Sequence, residues 1–392
     1  MSCYDFDTVV ERHNTDCLKY DFAEERHRPA DVLPFWVADM DFKTAPEITE
    51  AIQKRVQQGI FGYTDVKEHY YDAVSSWYTR RFGYTPAPES LTVTPGVVFA
   101  ICCALQAFTN PGDSVLIQNP VYYPFSESIL AQNRKLIDSP LVNRNGHYET
   151  DFDDFENKIR KNRVKLFILC SPHNPVGRVW KKDELLHIAE ICLKYHVTIF
   201  ADEIHSDFVF GKNVHTPFPS LSREIEQMTI WGTAPTKTFN LAGLQVSNIF
   251  IANGKMRDTF RHAMDAAGYS QPNTLGLTAA EAAYRCGEAW FSKLHLYIEE
   301  NMNRTLQYLQ NKEPRIQSVK PEGTYLMWLN CCGLGLSPDE LDDLVENKAK
   351  LWLDSGRIFG HQGEGFQRIN VACPWSVLER GLQQLAEAAH SV

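Results

Sequence analysis

Short apolar runs alternate with helix-like segments through the middle of the chain. The runs are rich in β-branched residues and cover residues 114–118, 164–170, 197–201, 228–231 and 246–251. Strands that are apolar along their whole length suit a sheet covered on both faces. Helical patterns lie between them, for example at residues 97–108 and 183–195. This alternation predicts an α/β fold with a mostly parallel central sheet flanked by helices.

The last third of the chain has a different pattern, in which long helical segments are followed by strands. Helices are predicted at residues 277–288, 291–310 and 338–347, and strands at 324–330 and 366–371. Such an order is typical of a separate α+β domain, and the segment 32–41 could pack with it. We therefore expect a large domain at residues 46–287 and a smaller domain formed by residues 1–45 and 288–392.

The composition narrows the classes of partner. The 392 residues carry a formal net charge of −10 and no block rich in Lys or Arg, which argues against nucleic acid or an anionic membrane surface. No apolar run reaches the roughly 20 residues that span a bilayer, and acidic residues near the start argue against a secretion signal. The ten cysteines lack the spacing of a zinc site, which favours free thiols in a reducing compartment. We expect a cytoplasmic protein without a metal.

Two charged residues follow predicted strands, at the edge where open α/β sheets bind ligands. Asp202 comes directly after an apolar run, where a carboxylate is costly unless it meets a positive partner. It could cap a helix, form a buried ion pair, or keep a pyridinium nitrogen protonated. Lys237 lies after a strand among small hydroxyl residues. Most lysines are surface groups, but one in a partly dry site can lose its proton and attack a carbonyl.

Two turns complete the set. Asn174 lies in the sequence Ser-Pro-His-Asn-Pro-Val-Gly after a strand, which by itself could be an ordinary turn. Gly96 precedes a predicted helix, whose first N–H groups could bind an anion. Taken singly, each of these is more simply explained as a connection between elements.

The order of these features resembles the fold-type I pyridoxal 5′-phosphate (PLP) enzymes of the aminotransferase class I/II superfamily, over nearly the whole chain. The resemblance implies a PLP cofactor and a homodimer whose subunits share active sites. It implies a role for each matching residue: Lys237 forms the Schiff base, Asp202 pairs with the pyridine nitrogen, Asn174 donates to the ring hydroxyl, Tyr122 stacks on the ring, Gly96, Val97 and Val98 cradle the phosphate, Tyr63 reaches the phosphate from the neighbouring subunit, and Arg368 binds the substrate α-carboxylate.

Finer features resemble the MalY/PatB type of cystathionine β-lyase within this superfamily. The segment 35–42 (Phe-Trp-Val-Ala-Asp-Met-Asp-Phe) carries most of that likeness and implies that Ala38 lies near the substrate. His205 replaces the tyrosine that aspartate-type aminotransferases usually have near the ring hydroxyl. Gln245 replaces their phosphate-binding arginine, and Thr233 and Thr236 are expected to assist the phosphate instead.

This resemblance implies a Cβ–S lyase that converts L-cystathionine into pyruvate, ammonia and homocysteine, and L-cysteine into pyruvate, ammonia and hydrogen sulfide. An aminotransferase is the alternative enzyme, since it needs the same lysine, aspartate and arginine. A protein that regulates a transcription activator by direct contact is the alternative from another class.

Overall fold

The computed structural model of the protein describes residues 4–392. Its helices are α1 (Pro46–Gln57), α2 (Glu68–Phe82), α3 (Val97–Phe108), α4 (Pro124–Ala131), α5 (Phe152–Asn162), α6 (Lys182–Lys194), α7 (Arg223–Glu226), α8 (Pro235–Thr238), α9 (Gly254–Ala266), α10 (Thr274–Cys286), α11 (Glu288–Lys312), α12 (Pro338–Asp343) and α13 (Trp375–Ala389). Its strands are β1 (Leu33–Pro34), β2 (Leu91–Thr94), β3 (Ser114–Ile117), β4 (Lys135–Asp138), β5 (Val142–Arg144), β6 (His147–Glu149), β7 (Leu166–Cys170), β8 (Thr198–Asp202), β9 (Thr229–Thr233), β10 (Ser247–Phe250), β11 (Gln317–Ser318), β12 (Leu326–Asn330), β13 (Leu351–Trp352), β14 (Asp354–Ser355) and β15 (Phe366–Asn370).

A seven-stranded sheet forms the centre of the molecule, in the order β2-β10-β9-β8-β7-β3-β4. Only β10 runs antiparallel to its neighbours, so the prediction of a mostly parallel sheet is confirmed. Every residue of β7 and β9 is buried, as expected for strands covered on both faces. The observed strand ends differ from the predicted ones by one or two residues, which is normal where a helix or turn follows directly.

Helix α3 crosses one face of this sheet and begins immediately after Gly96. It is apolar around much of its surface because it packs between the sheet and other helices: Ile101 and Leu105 are fully buried. This packing fixes the amino-terminal end of α3 at the same edge of the sheet where β7, β8 and β9 end.

A second, antiparallel sheet has the order β11-β12-β15-β14 and lies in the last quarter of the chain. Strand β1 pairs in parallel with β13, with Leu33 opposite Leu351. The backbone N–H of Phe35 donates to the carbonyl of Trp352 at 2.8 Å, and that of Asn370 donates to the carbonyl of Phe35 at 2.9 Å. The segment 33–41 therefore runs along the C-terminal part of the chain, far from its own position in sequence.

The structure adds three findings about residues 4–392. No helix there is long and apolar enough to cross a membrane. The nine cysteines within that range are free thiols. No group of three or more His, Cys, Asp or Glu side chains in it is arranged to hold a metal ion.

Candidate active site

One cavity of about 180 Å³ lies beyond the carboxyl ends of the central strands. It is lined by predicted site residues from several parts of the chain: Ala38, Gly96, Val97, Val98, Tyr122, Asn174, Asp202, His205, Thr236, Lys237 and Arg368. Parallel strands end at a common edge, and this brings the residues that follow them together. The cavity also has a wall from the second sheet, because Arg368 lies on β15.

Lys237 lies on α8, the short helix that follows β9. Its Nζ donates a hydrogen bond of 2.7 Å to the carbonyl oxygen of Ala38. Burial lowers the pKa of Lys237 to about 8, opposed by the negative charge of Asp39 and reinforced by the positive charge of Arg368. A lysine with this pKa exchanges its proton close to neutral pH, so it can serve as a nucleophile or a base.

Asp202 ends strand β8 and is 5% exposed. One carboxylate oxygen accepts a hydrogen bond of 3.1 Å from the backbone N–H of Ile204. Burial raises the pKa of Asp202 to about 7, opposed by the hydrogen bond from Ile204 and by the positive charge of Lys237. A buried carboxylate in this state gains stability from a positively charged ligand group.

Asn174 and His205 occupy the wall near Asp202. The side-chain oxygen of Asn174 accepts a hydrogen bond of 3.0 Å from Arg368, which leaves its NH₂ group as the donor. His205 is 4% exposed, and its Nδ1 has no hydrogen-bond partner within the described chain. Burial, followed by the positive charges of Lys237 and Arg368, lowers the pKa of His205 well below its usual value, so its ring is neutral.

The amino-terminal end of α3 forms another part of the wall. Gly96 has extended backbone, and no side chain caps the helix that it precedes. A Cβ atom built on Gly96 would meet no protein atom within 4 Å, so the backbone there is open. Free N–H groups at a helix start, next to an open glycine, suit a phosphate group.

Arg368 is held by three acceptors. Its two Nη atoms donate to the side-chain oxygen of Asn174 at 3.0 Å and to the carbonyl of Trp36 at 2.8 Å, and one of them forms an ion pair with Asp354. Arg368 is 2% exposed, and Asp354 stands directly opposite it on β14. Such contacts fix the plane of the guanidinium group.

Asp354, Trp36 and Ser247 also line the cavity. Asp354 and Ser247 were not among the predicted site residues. Asp354 follows the apolar residues 351–353, which is the same signal that identified Asp202. Ser247 offers no comparable signal, since its position depends on the pairing of β10 with β2, where its hydroxyl lies 2.7 Å from that of Thr94.

A family model described as aminotransferase class I and II matches residues 30–385. The chain belongs to the aminotransferase class I and II family. It is 43% identical to cystathionine beta-lyase PatB of Bacillus subtilis, covering 98% of this chain and 99% of that protein. It is 32% identical to protein MalY of Escherichia coli, covering 99% and 100% respectively. The crystal structure of cystalysin from Treponema denticola, which contains PLP, superposes with a TM-score of 0.96 at 38% identity and covers 100% of both chains.

Three features of the cavity suit PLP, and each comes from residues of this chain. The open backbone at Gly96 and the uncapped start of α3 suit the phosphate. The buried Asp202 suits a pyridinium nitrogen, and the pKa of Lys237 suits attack on an aldehyde. The residues present therefore fit the cofactor.

Two residues that were expected at the phosphate lie elsewhere in this chain. The hydroxyl of Thr233 donates to the backbone carbonyl of Asn248 at 3.1 Å, and Thr233 does not line the cavity. Thr233 is the last residue of strand β9, and its hydroxyl already has a backbone partner on β10 in this chain. Tyr63 is 95% exposed and does not line the cavity of its own chain. Gln245 is also exposed and outside the cavity, whereas Thr236 lines it.

Proposed function

We propose that this chain is a PLP-dependent Cβ–S lyase that carries out the α,β-elimination of L-cystathionine, and of L-cysteine, to pyruvate, ammonia and a thiol. The observation that carries the proposal is that Lys237, Asp202 and Arg368 line one cavity. The similarity to cystathionine beta-lyase PatB over almost the full length of both chains supports the choice of reaction.

The proposed roles follow from the side chains. PLP, when bound, supplies an electron-withdrawing ring that stabilises negative charge at the substrate Cα. When PLP is bound, Asp202 would hold the proton on the ring nitrogen, the N–H groups at Val97 and Val98 would bind the phosphate, and Tyr122 would pack against the ring. The neutral ring of His205 and the NH₂ group of Asn174 would form hydrogen bonds with the hydroxyl of the cofactor ring.

The substrate is handled by two residues. Arg368 binds the α-carboxylate and so fixes which bond at Cα faces Lys237. Lys237 Nζ removes the Cα proton, a step suited to a pKa of about 8. The Cβ–S bond then breaks and the thiolate leaves with a proton. Addition of one water to the remaining three-carbon unit gives pyruvate and ammonia, so atoms balance.

An assay without a keto-acid acceptor tests this proposal. Purified holoenzyme should release pyruvate and homocysteine continuously from L-cystathionine. Lys237→Ala should lower turnover about 1,000-fold or more, because both the base and the cofactor attachment are lost. It should also remove the visible absorption of the bound cofactor.

Lys255→Ala, which changes an exposed lysine, is the matched control and should retain wild-type activity. Turnover that stops after one equivalent and resumes on addition of a keto acid would establish the aminotransferase instead. Near-normal pyruvate release by Lys237→Ala would refute the assignment of the lysine.

We also propose a homodimer in which Tyr63 serves the cavity of the second copy. The segment around it is exposed and apolar: Ile60 is 69%, Phe61 62% and Tyr63 95% exposed in the single chain. Contiguous exposed apolar residues commonly mark contact surfaces. A second copy packed on this segment would account for a tyrosine that is apart from its own cavity.

Mixed dimers give a direct test of that arrangement. Tyr63→Ala and Lys237→Ala subunits, each impaired alone, should recover up to about a quarter of wild-type activity after dissociation and reassembly, because random pairing leaves one intact site in half of the dimers. If Tyr63 acts within its own chain, mixing will recover no activity. Sedimentation of each variant provides the control that dimers form.

The expected division into domains and the location remain part of the proposal. We propose a large domain at residues 46–287 and a small domain from residues 1–45 and 288–392, of which residues 1–3 lie outside the described structure. The start of α1 at Pro46 and of α11 at Glu288, and the pairing of β1 with β13, support these limits. The free thiols support a reducing compartment, and we propose the cytoplasm.

A further inference from the structure

Asp354 is a carboxylate inside the substrate cavity that the proposed reaction does not use. It lies on β14 directly opposite Arg368 on β15, and its side chain is 8% exposed. One of its oxygens forms an ion pair with Nη2 of Arg368, and both residues line the cavity. The residue proposed to bind the substrate α-carboxylate therefore already has a carboxylate partner from the protein.

The contact between Asp354 and Arg368 determines the net charge around a bound substrate. The ionisable side chains that line the cavity in the described chain are Tyr122, Tyr123, Cys170, Asp202, His205, Lys237, Asp354 and Arg368. Under the proposed function, Asp202 and Lys237 are committed to the cofactor, and His205 is neutral. Burial raises the pKa of Tyr122, Tyr123 and Cys170, so these groups are uncharged near neutral pH. Arg368 would then be shared between the α-carboxylate and Asp354, which leaves one net negative charge.

Asp354 is paired with a cation, Arg368, and this contact favours its ionised form. Burial raises the pKa of Asp354, and the positive charges of Arg368 and then of Arg28 oppose that effect. Arg28 cannot easily turn to the substrate instead, since it forms an ion pair with Glu346. A like charge brought close to an ionised group in a partly buried site is repelled more strongly than in water.

We propose that Asp354 determines substrate specificity: it disfavours amino acids with an anionic side chain and admits thioethers whose side chains are neutral or cationic. The inference rests on the proposed function and names the substrate class of that same site. It separates this enzyme from one that acts on aspartate or glutamate, whose side-chain carboxylate would be repelled by Asp354.

Three cysteine thioethers of similar length test the proposal: S-ethyl-L-cysteine is neutral, S-carboxymethyl-L-cysteine anionic and S-(2-aminoethyl)-L-cysteine cationic. For wild-type holoenzyme, kcat/KM from acceptor-free pyruvate release should be at least about tenfold lower for the anionic compound than for the neutral one. In Asp354→Asn the ratio of anionic to neutral should rise about tenfold, and the ratio of cationic to neutral should fall. The ratios are the measurement, because weaker support of Arg368 lowers all three rates together.

Asp342→Asn is the matched control. Asp342 accepts hydrogen bonds from Gln367 at 2.9 Å and Ser355 at 3.1 Å, on the same two strands, but does not line the cavity. Its loss should leave the three ratios unchanged. Equal kcat/KM for all three compounds in the wild type, or a uniform loss in Asp354→Asn, would overturn the proposal.

Binding of the same compounds, followed through the cofactor absorption of the holoenzyme, gives a second measurement that needs no turnover. If no compound yields pyruvate, the proposed lyase reaction fails, while the three dissociation constants still decide the role of Asp354. If Asp354→Asn does not fold, equal affinities of the wild type for the three compounds would still overturn the proposal.

Discussion

The two walls of the cavity differ in how their charges are satisfied. The sheet wall consists of Gly96, Val97, Val98, Tyr122, Asn174, Asp202 and Lys237, which follow strands of the central sheet, and the cap wall consists of Trp36, Val37, Ala38, Asp354 and Arg368. In the cap wall Arg368 and Asp354 are paired with each other. In the sheet wall burial moves the pKa of Asp202 to about 7 and that of Lys237 to about 8.

The pairing of charges in the cap wall and the shifted pKa values in the sheet wall indicate different functions for the two walls. Groups whose pKa values lie near neutrality can exchange protons at modest cost, and such groups typically mark sites of acid–base chemistry. A guanidinium fixed by several acceptors keeps its charge and orientation, which suits recognition. We infer that the sheet wall carries the chemistry and the cap wall positions the substrate. Changes in the two walls should therefore alter different kinetic and thermodynamic quantities.

After Lys237→Ala, the largest effect is expected from Arg368→Lys in the cap wall. Lysine keeps the positive charge but loses the planar fork that contacts Asn174, Trp36 and Asp354. Charge-assisted hydrogen bonds of this kind contribute about 1.5–3 kcal/mol, so kcat/KM for S-ethyl-L-cysteine should fall about 100-fold, mainly through KM. The visible absorption of bound cofactor should remain.

Arg144→Lys provides the control, since Arg144 is exposed and pairs with Glu149 on the surface. A drop in kcat with KM unchanged in Arg368→Lys would place Arg368 in the chemistry and remove the distinction between the walls.

The hydrophobic pattern predicted the sheet wall much better than the cap wall, where Arg368 and Ala38 were indicated only by the family resemblance. Asp202 and Lys237 each follow an apolar run, so short stretches of sequence indicated both the strand and the residue at its end. The apolar runs also predicted the mostly parallel sheet, which the strand pairing confirmed. The order of the site residues indicated the family, which the family model confirmed. The catalytic and binding roles of these residues stay predictions.

The cap wall depends on pairings between distant segments. Asp354 meets Arg368 only because β14 and β15 pair, and β1 reaches this region through its pairing with β13. No local pattern encodes such pairings. The hydrogen bond from the hydroxyl of Thr233 to the carbonyl of Asn248 likewise depends on the pairing of β9 with β10.

Asp202→Asn should make the cofactor-free protein more stable at alkaline pH. The folded pKa of about 7 lies above the value of about 3.9 in an unfolded chain. Between these values the folded state holds a proton that the unfolded state has released, so the stability of the wild type falls as the pH rises from about 4 to about 7. The amide removes this cost, and the variant should gain about 2 kcal/mol at pH 8 and almost nothing at pH 4.

Chemical unfolding of both cofactor-free proteins from pH 4 to pH 8 measures the difference. The same variant should bind PLP more weakly, because the partner of the ring nitrogen is lost. Asp153→Asn, an exposed acidic residue at the start of α5, controls for the change in net charge. A difference between wild type and Asp202→Asn that does not vary with pH would contradict the raised pKa.

The smallest expected effect, about tenfold, separates ligand contact from folding at one position of the sheet wall. In Gly96→Ala the new methyl group meets no protein atom within 4 Å and the backbone is extended, so stability should fall by about 1 kcal/mol at most, from the weaker helix start. The methyl group would intrude where the phosphate approaches, and the dissociation constant for PLP should rise about tenfold.

Gly232→Ala is the converse control: its methyl group would lie 3.0 Å from the ring of Phe200, so stability should fall by about 1–3 kcal/mol. Unchanged PLP affinity in Gly96→Ala would mean that the phosphate lies elsewhere, and the start of α3 would then be only a connection between strand and helix.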